Sequence, residues 1–181
     1  MRYVALFRGI NVGKAKRIAM ADLRALLEEL GFSDVGTLLN SGNALFSAPA
    51  APADRLATRI HAAVAKELGV EARVIVKSAD DVAAMVKGNR LEAHCSDDSR
   101  LLVAMTGDAG ELAAARAVAR DDWGDERVHL GKHAAYVWCA RGILESAALA
   151  ALSKSLGGAA TTRNWATLRK IHALLSAGDG R

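Results

Sequence analysis

The feature that most constrains this chain is the order in which its apolar runs follow one another. Arg2–Phe7 is short, with β-branched and aromatic members, and predicts a strand. Gly9–Lys16, with its glycines and Asn11, predicts a loop. Met20, Leu23, Leu26, Leu27 and Leu30 then recur at helical spacing, and Gly31 marks the stop. Val35–Leu39 and Ala44–Ser47 predict two strands around Asn40-Ser41-Gly42-Asn43, whose Gly and Asn accept the positive φ of a two-residue hairpin turn. Pro52 opens a second helix with Leu56, Ile60, Val64 and Leu68 on one face. Gly69 ends it, and Arg73–Val76 predicts another strand. Residues 1–77 thus read βαββαβ, the split-βαβ, ferredoxin-like order.

The same order recurs after a short helix near Val82–Val86 and a polar link, Gly88–Asp98. Leu101–Met105 predicts a strand and Gly110–Ala119 a helix. Arg127–Leu130 and Ala134–Cys139 predict a hairpin around Gly131-Lys132, and Ile143–Leu156 a helix closed by Gly157-Gly158. Ala159–Thr161 is a candidate last strand, and Trp165–Ser176 a terminal helix with Leu168, Ile171 and Leu175 inward. The expectation is an α+β chain of two ferredoxin-like βαββαβ units packed together, with a C-terminal helix. The units are residues 1–87 and 99–181, joined by 88–98. In the first strand Val4 and Leu6 point one way, and Tyr3, Ala5 and Phe7 the other. Both faces are apolar, so both should be covered.

Composition narrows the class. The 181 residues include 38 alanines, 51% hydrophobic residues and only 4% aromatics, which excludes disorder, collagen and coiled coil. No apolar run approaches the roughly 18 residues of a membrane helix, so no membrane partner is expected. Met1–Ile10 does not read as a signal peptide, because Arg8 and Asn11 interrupt it at once. Cys95 and Cys139 lack CxxC spacing and read as free thiols of a reducing cytoplasm. The net charge of +4 hides an asymmetry. Residues 1–20 carry +5 and residues 146–178 carry +4, neither with any acid, while 21–145 carry −5.

Arg8-Gly9-Ile10-Asn11-Val12-Gly13-Lys14 leaves a strand and leads toward a helix. Its glycines let backbone N–H groups approach an anion, and Arg8 and Lys14 supply charge. It is not a Walker A loop: Gly9 to Gly13 is one residue short, and Ala15 stands where the Mg²⁺-binding hydroxyl belongs. In a βαββ order the loop after strand one and the hairpin after strand two share one end of the sheet. Arg8–Lys14 and Asn40–Asn43 should therefore be neighbours, a cluster suited to phosphate or carboxylate. In Thr161-Thr162-Arg163-Asn164-Trp165, Thr162 is a candidate N-cap for the last helix. Arg163 at a helix start runs against the dipole, and a bound anion would relieve that. The candidate ligand residues are Arg8, Gly9, Asn11, Gly13, Lys14, Asn40, Ser41, Gly42, Asn43, Arg163 and Asn164.

Other groups look bland. A two-residue turn at Gly131-Lys132 would point His129 and His133 to opposite faces, so no metal is expected there. His94-Cys95 has no second ligand pair. Asp121-Asp122 and Asp125-Glu126 read as a solvated acidic turn, and Cys139 as a buried thiol. No catalytic triad or carboxylate pair is evident, so neither catalytic residues nor a cofactor are assigned.

The Arg8-Gly9-Ile10-Asn11-Val12-Gly13 run, Met20 and Leu23, Ser41-Gly42-Asn43, and Thr161-Thr162-Arg163-Asn164-Trp165 together resemble a family of small bacterial proteins catalogued as domain of unknown function 1697. The resemblance covers essentially the whole chain. It implies an α+β fold of two ferredoxin-like units and no established activity. Lys14 stands where the family resemblance would put glycine, Leu38 where tyrosine is common, and Ala166 where asparagine often follows the tryptophan.

Three functions compete. The leading reading is an anion site for a phosphorylated or nucleotide-like small molecule, with or without catalysis. Nucleic-acid binding through a basic face is the second. It would offer only Tyr3, Phe7 and Phe46 for stacking. The third is a protein-interaction module using alanine-rich helices such as Ala147–Ala151. The ligand and the oligomeric state are not readable from the sequence.

Overall fold

A computed structural model describes residues 1–13 and 16–177. It holds two four-stranded antiparallel sheets with helices, a mixed α+β architecture. Two compact units share the chain. One comprises Met1–Asp80 with the described part of 173–181, the other Asp81–His172.

In the first unit β1 (Arg2–Phe7), α1 (Met20–Glu29), β2 (Ser33–Leu38), β3 (Asn43–Ser47), α2 (Ala53–Leu68) and β4 (Val74–Ser78) follow in chain order. Strand order in the sheet is β2-β3-β1-β4. Tyr3, Ala5 and Phe7 join Leu23, Leu27, Leu56, Ile60 and Val64 in one core. Each fully buried large side chain of this kind contributes about 1.5–3 kcal/mol. Val4 and Leu6, on the opposite face of β1, are buried as well, so both faces of this strand are covered. Tyr3 lies opposite Phe46, their rings stacked at 5.6 Å. Gly69 ends α2 in the left-handed conformation at φ +65.

The β2–β3 connection is wider than a two-residue turn. Leu38 pairs with Asn43, so four residues, Leu39 to Gly42, form the loop. Leu39 (φ +61) and Gly42 (φ +82) both take positive φ. Gly42 is required there on a second count. A Cβ would lie 2.7 Å from Ile10 Cδ1 and 2.8 Å from Phe7 Cβ.

The second unit contains most of α3 (Ala79–Gly88), then β5 (Leu101–Thr106), β6 (Arg127–Leu130), β7 (Ala135–Trp138), α4 (Ala147–Leu156), β8 (Ala160–Asn164) and most of α5 (Trp165–Ser176). Its sheet runs β6-β7-β5-β8. Here local structure departs from expectation in three places. The helix expected over Gly110–Ala119 is two 3₁₀ segments, Ala109–Ala115 and Val118–Arg120. The buried residues Leu112, Ala115 and Val118 recur every third position, which suits three residues per turn and not 3.6. Next, α4 starts at Ala147 and not Ile143, because the Ser146 hydroxyl accepts from Leu149 N–H at 3.0 Å and caps it. Leu144, ahead of that cap, is 96% exposed. Finally, the hairpin register pairs His129 with Tyr136 and Leu130 with Ala135, which leaves a four-residue loop at 131–134.

The acidic turn is not wholly solvated either. Glu126 is buried, and its Oε2 accepts from Ala148 N–H at 3.0 Å, placing a carboxylate at the α4 N-terminus. Ala148, Ala151 and Leu152 of α4 pack in the core of their own unit.

Candidate functional site

The β1 ladder runs one residue past the strand at each side. Phe7 N–H donates to Gly42 O at 2.9 Å, and Arg8 N–H to Arg73 O at 2.9 Å. The chain then bends through Gly9 at φ +67 and Asn11 at φ +56, with Ile10 buried between them. Asn tolerates the left-handed region better than most residues. Its side chain also fixes the loop. Asn11 Nδ2 donates to Ile18 O and to Asn40 O, each at 2.9 Å, and Oδ1 accepts from Ile18 N–H at 2.8 Å. The backbone N–H of Asn11 donates to Lys16 O at 3.0 Å. One amide thus sets the loop after β1 against the turn after β2.

Across that seam, Asn43 is fully buried and donates from Nδ2 to Leu38 O at 2.7 Å and Ser41 Oγ at 3.2 Å. Both asparagine amides therefore have backbone partners within the loop pair. Exposed charge at this edge comes from Arg8, Lys16, Arg17 and Arg73. The Arg17 guanidinium donates to Gly13 O at 3.1 Å. Gly9 and Gly13, at φ +67 and +64, are exposed. Lys14 lies outside the described residues. Val12 and Leu39, chain neighbours of the bonded Asn11–Asn40 pair, are 72% and 52% exposed.

Arg73 was not among the sequence candidates. The available signal was topological. An antiparallel β4 begins where β1 ends, so the residue ahead of β4 arrives beside Arg8. Arg73 also lines an open groove of about 430 Å³, in which His61 Nδ1 meets Ala72 O at 2.8 Å and Nε2 faces Glu71 at 3.4 Å.

Arg163 and Asn164 belong to the second unit. Arg163 is not at a helix start. It lies in β8 opposite Val103, buried, donating to Thr161 Oγ1 at 2.9 Å and Thr162 O at 2.8 Å. Burial pushes its guanidinium down to about 10. The cap of α5 is Asn164 and not Thr162, since Asn164 Oδ1 accepts from Thr167 N–H at 2.9 Å. Trp165 is buried, its Nε1 donating to Glu92 at 3.4 Å. Among the described residues, no three His, Cys, Asp or Glu side chains group as a metal site would require, and no helix is long and apolar enough to cross a membrane.

A family model described as "Protein of unknown function (DUF1697)" matches residues 1–136. No curated protein matches the chain. Among solved structures, the conserved bacterial protein SP0830 from Streptococcus pneumoniae is similar at 26% identity and a TM-score of 0.77. The match covers 96% of this chain and 98% of that one.

Proposed function

The chain belongs to this family of proteins of unknown function, and since membership carries no activity we propose one from the geometry: binding of an anionic, phosphorylated or nucleotide-like small molecule where the loop after β1 meets the turn after β2. The observation that carries the reading is the 2.9 Å bond from Asn11 to Asn40. It holds the two segments together, so that Arg8, Lys16, Arg17 and the exposed glycines share one edge with Ser41. Guanidinium forks and glycine N–H groups suit phosphate oxygens. The exposed Val12 and Leu39 beside them suit the apolar part of such a ligand. Asn11 and Asn43 shape the edge in this reading and do not themselves grip the ligand.

The supporting frame is a repeated one. Each unit has the same strand arrangement, β2-β3-β1-β4 and β6-β7-β5-β8, which supports a ferredoxin-like assignment for both. Cys95 and Cys139, neither of them in a disulfide, support a reducing, cytoplasmic setting. The rival nucleic-acid reading loses its stacking groups, because Tyr3, Phe7 and Phe46 are buried in the first core.

A thermal-shift screen with sugar phosphates and nucleotides tests the proposal. A ligand at about 100 times its Kd should add roughly 2.7 kcal/mol of stability. Arg8→Ala and Arg17→Ala should each abolish the gain. If no compound stabilises the wild type, or if both variants keep every shift, the proposal fails.

A further inference from the structure

The second unit carries a concave site of its own, between the end of α3 and the β6–β7 hairpin. The cavity holds about 370 Å³ and is lined by Lys87, Arg90, His129, Lys132, His133 and Tyr136, among others. That volume lies within the range of small-molecule sites, about 300–1,000 Å³. Among the described residues, none that lines it is acidic. Among the described residues Lys87, Arg90 and Lys132 have no ion-pair partner. Three positive charges around a concavity whose described lining holds no counter-charge concentrate anions there.

The walls are built and not incidental. Tyr136 O–H donates to Met85 O at 2.7 Å and pins the hairpin to α3. The His129 ring stacks on its cross-strand partner Tyr136 at 5.7 Å. Gly131 N–H donates to Ala134 O at 2.9 Å, closing the loop that carries Lys132 and His133 to the rim. Two glycines permit the close approach. A Cβ at Gly88 would come 3.2 Å from Tyr136 Oη, and one at Gly131 would come 3.1 Å from Tyr136 Cε2. The four-residue loop brings both histidines to the same cavity, where the shorter turn would have separated them. Burial, together with the Arg90 guanidinium, lowers the His129 imidazole from its ordinary value and favours the neutral ring.

We propose that this cavity binds a phosphate monoester of sugar-phosphate size, the phosphate held by Lys87, Arg90 and Lys132 and the remainder by His129 and His133. Its lining shares no residue with the Arg8 edge, and its test separates the two.

The full chain is titrated with ribose 5-phosphate, with inorganic phosphate and with neutral ribose, following the histidine ring resonances by NMR and affinity by calorimetry. Ribose 5-phosphate should bind and shift His129 and His133, inorganic phosphate should bind more weakly at the same rings, and ribose should do neither. Lys87 and Lys132 are exposed, so the Lys87→Ala/Lys132→Ala double variant should keep its circular dichroism and lose at least about tenfold in affinity. Arg8→Ala should leave the His129 and His133 shifts intact. The proposal is overturned if ribose 5-phosphate leaves both rings unmoved, if the double variant binds as the wild type does, or if Arg8→Ala alone removes the shifts.

Discussion

Replacing Gly42 with alanine tests the seam on which the first site depends. At φ +82 an L-residue is strained by about 1–2 kcal/mol. The added methyl would lie 2.7 and 2.8 Å from Ile10 Cδ1 and Cγ1, and 2.8 Å from Phe7 Cβ. Favourable carbon contacts begin near 3.5 Å. The end of Ile10 can rotate, but Phe7 Cβ is fixed to the β1 backbone, whose N–H donates to Gly42 O at 2.9 Å. Overpacking of this kind costs about 1–3 kcal/mol. The total is therefore roughly 2–5 kcal/mol. Gly69→Ala supplies the control. Its φ is +65 and its added methyl meets nothing within 4 Å, so only the conformational strain applies. Urea unfolding followed by circular dichroism should place Gly42→Ala below Gly69→Ala by the steric difference, about 1–3 kcal/mol. Placing Gly42→Ala in an Ile10→Ala background should recover part of that difference as a coupling energy. Equal losses for the two glycines, with no coupling to Ile10, would refute the close packing of turn on loop.

Two further outcomes follow from the second unit. Glu126→Ala should destabilise by about 1–3 kcal/mol by orphaning the buried Ala148 N–H, with Glu126→Gln milder because it keeps an acceptor. Exposed Asp125→Ala should stay within about 0.5 kcal/mol of wild type in the same urea titration. Burial pushes Tyr136 up to about 12. An unfolded chain loses that proton near pH 10 and the folded one keeps it, so the stabilisation is full below about pH 10 and falls away as pH rises through 12. Urea midpoints measured from pH 9 upward should decline less for Tyr136→Phe than for wild type; parallel curves would contradict this.

What was legible in the sequence was whatever a single element's periodicity encodes. Leu56, Ile60 and Val64 one turn apart gave α2 and its buried face, and the glycine after Leu68 gave its end. The Arg8 loop and the Asn40 turn could be set side by side because strand order alone fixes which end of the sheet each occupies. Turn widths were not legible, because Asn-Ser-Gly-Asn satisfies a two-residue turn and a four-residue loop equally well. The arbiter was Ile10, distant in sequence, which presses on Gly42. The run of small residues at 109–120 hid its period of three, since alanine marks neither face strongly. Glu126 looked like its exposed neighbours, and only the α4 N-terminus folding over it makes it interior. Arg163 read as a helix-start residue because β8 continues through the Thr-Thr pair that resembled a cap.

Asn11 acts as a cross-link without a covalent bond. Its amide accepts from and donates to the same residue, Ile18, and thereby ties a ring across the mouth of the loop. Doubling the length of a flexible ring costs only about 0.6 kcal/mol. The segment between the two tied residues is therefore where the chain can gain or lose residues with least effect on β1 and α1. The knot fixes where the loop leaves the sheet, so a change of length between Asn11 and Ile18 falls on the proposed ligand groups and not on the sheet.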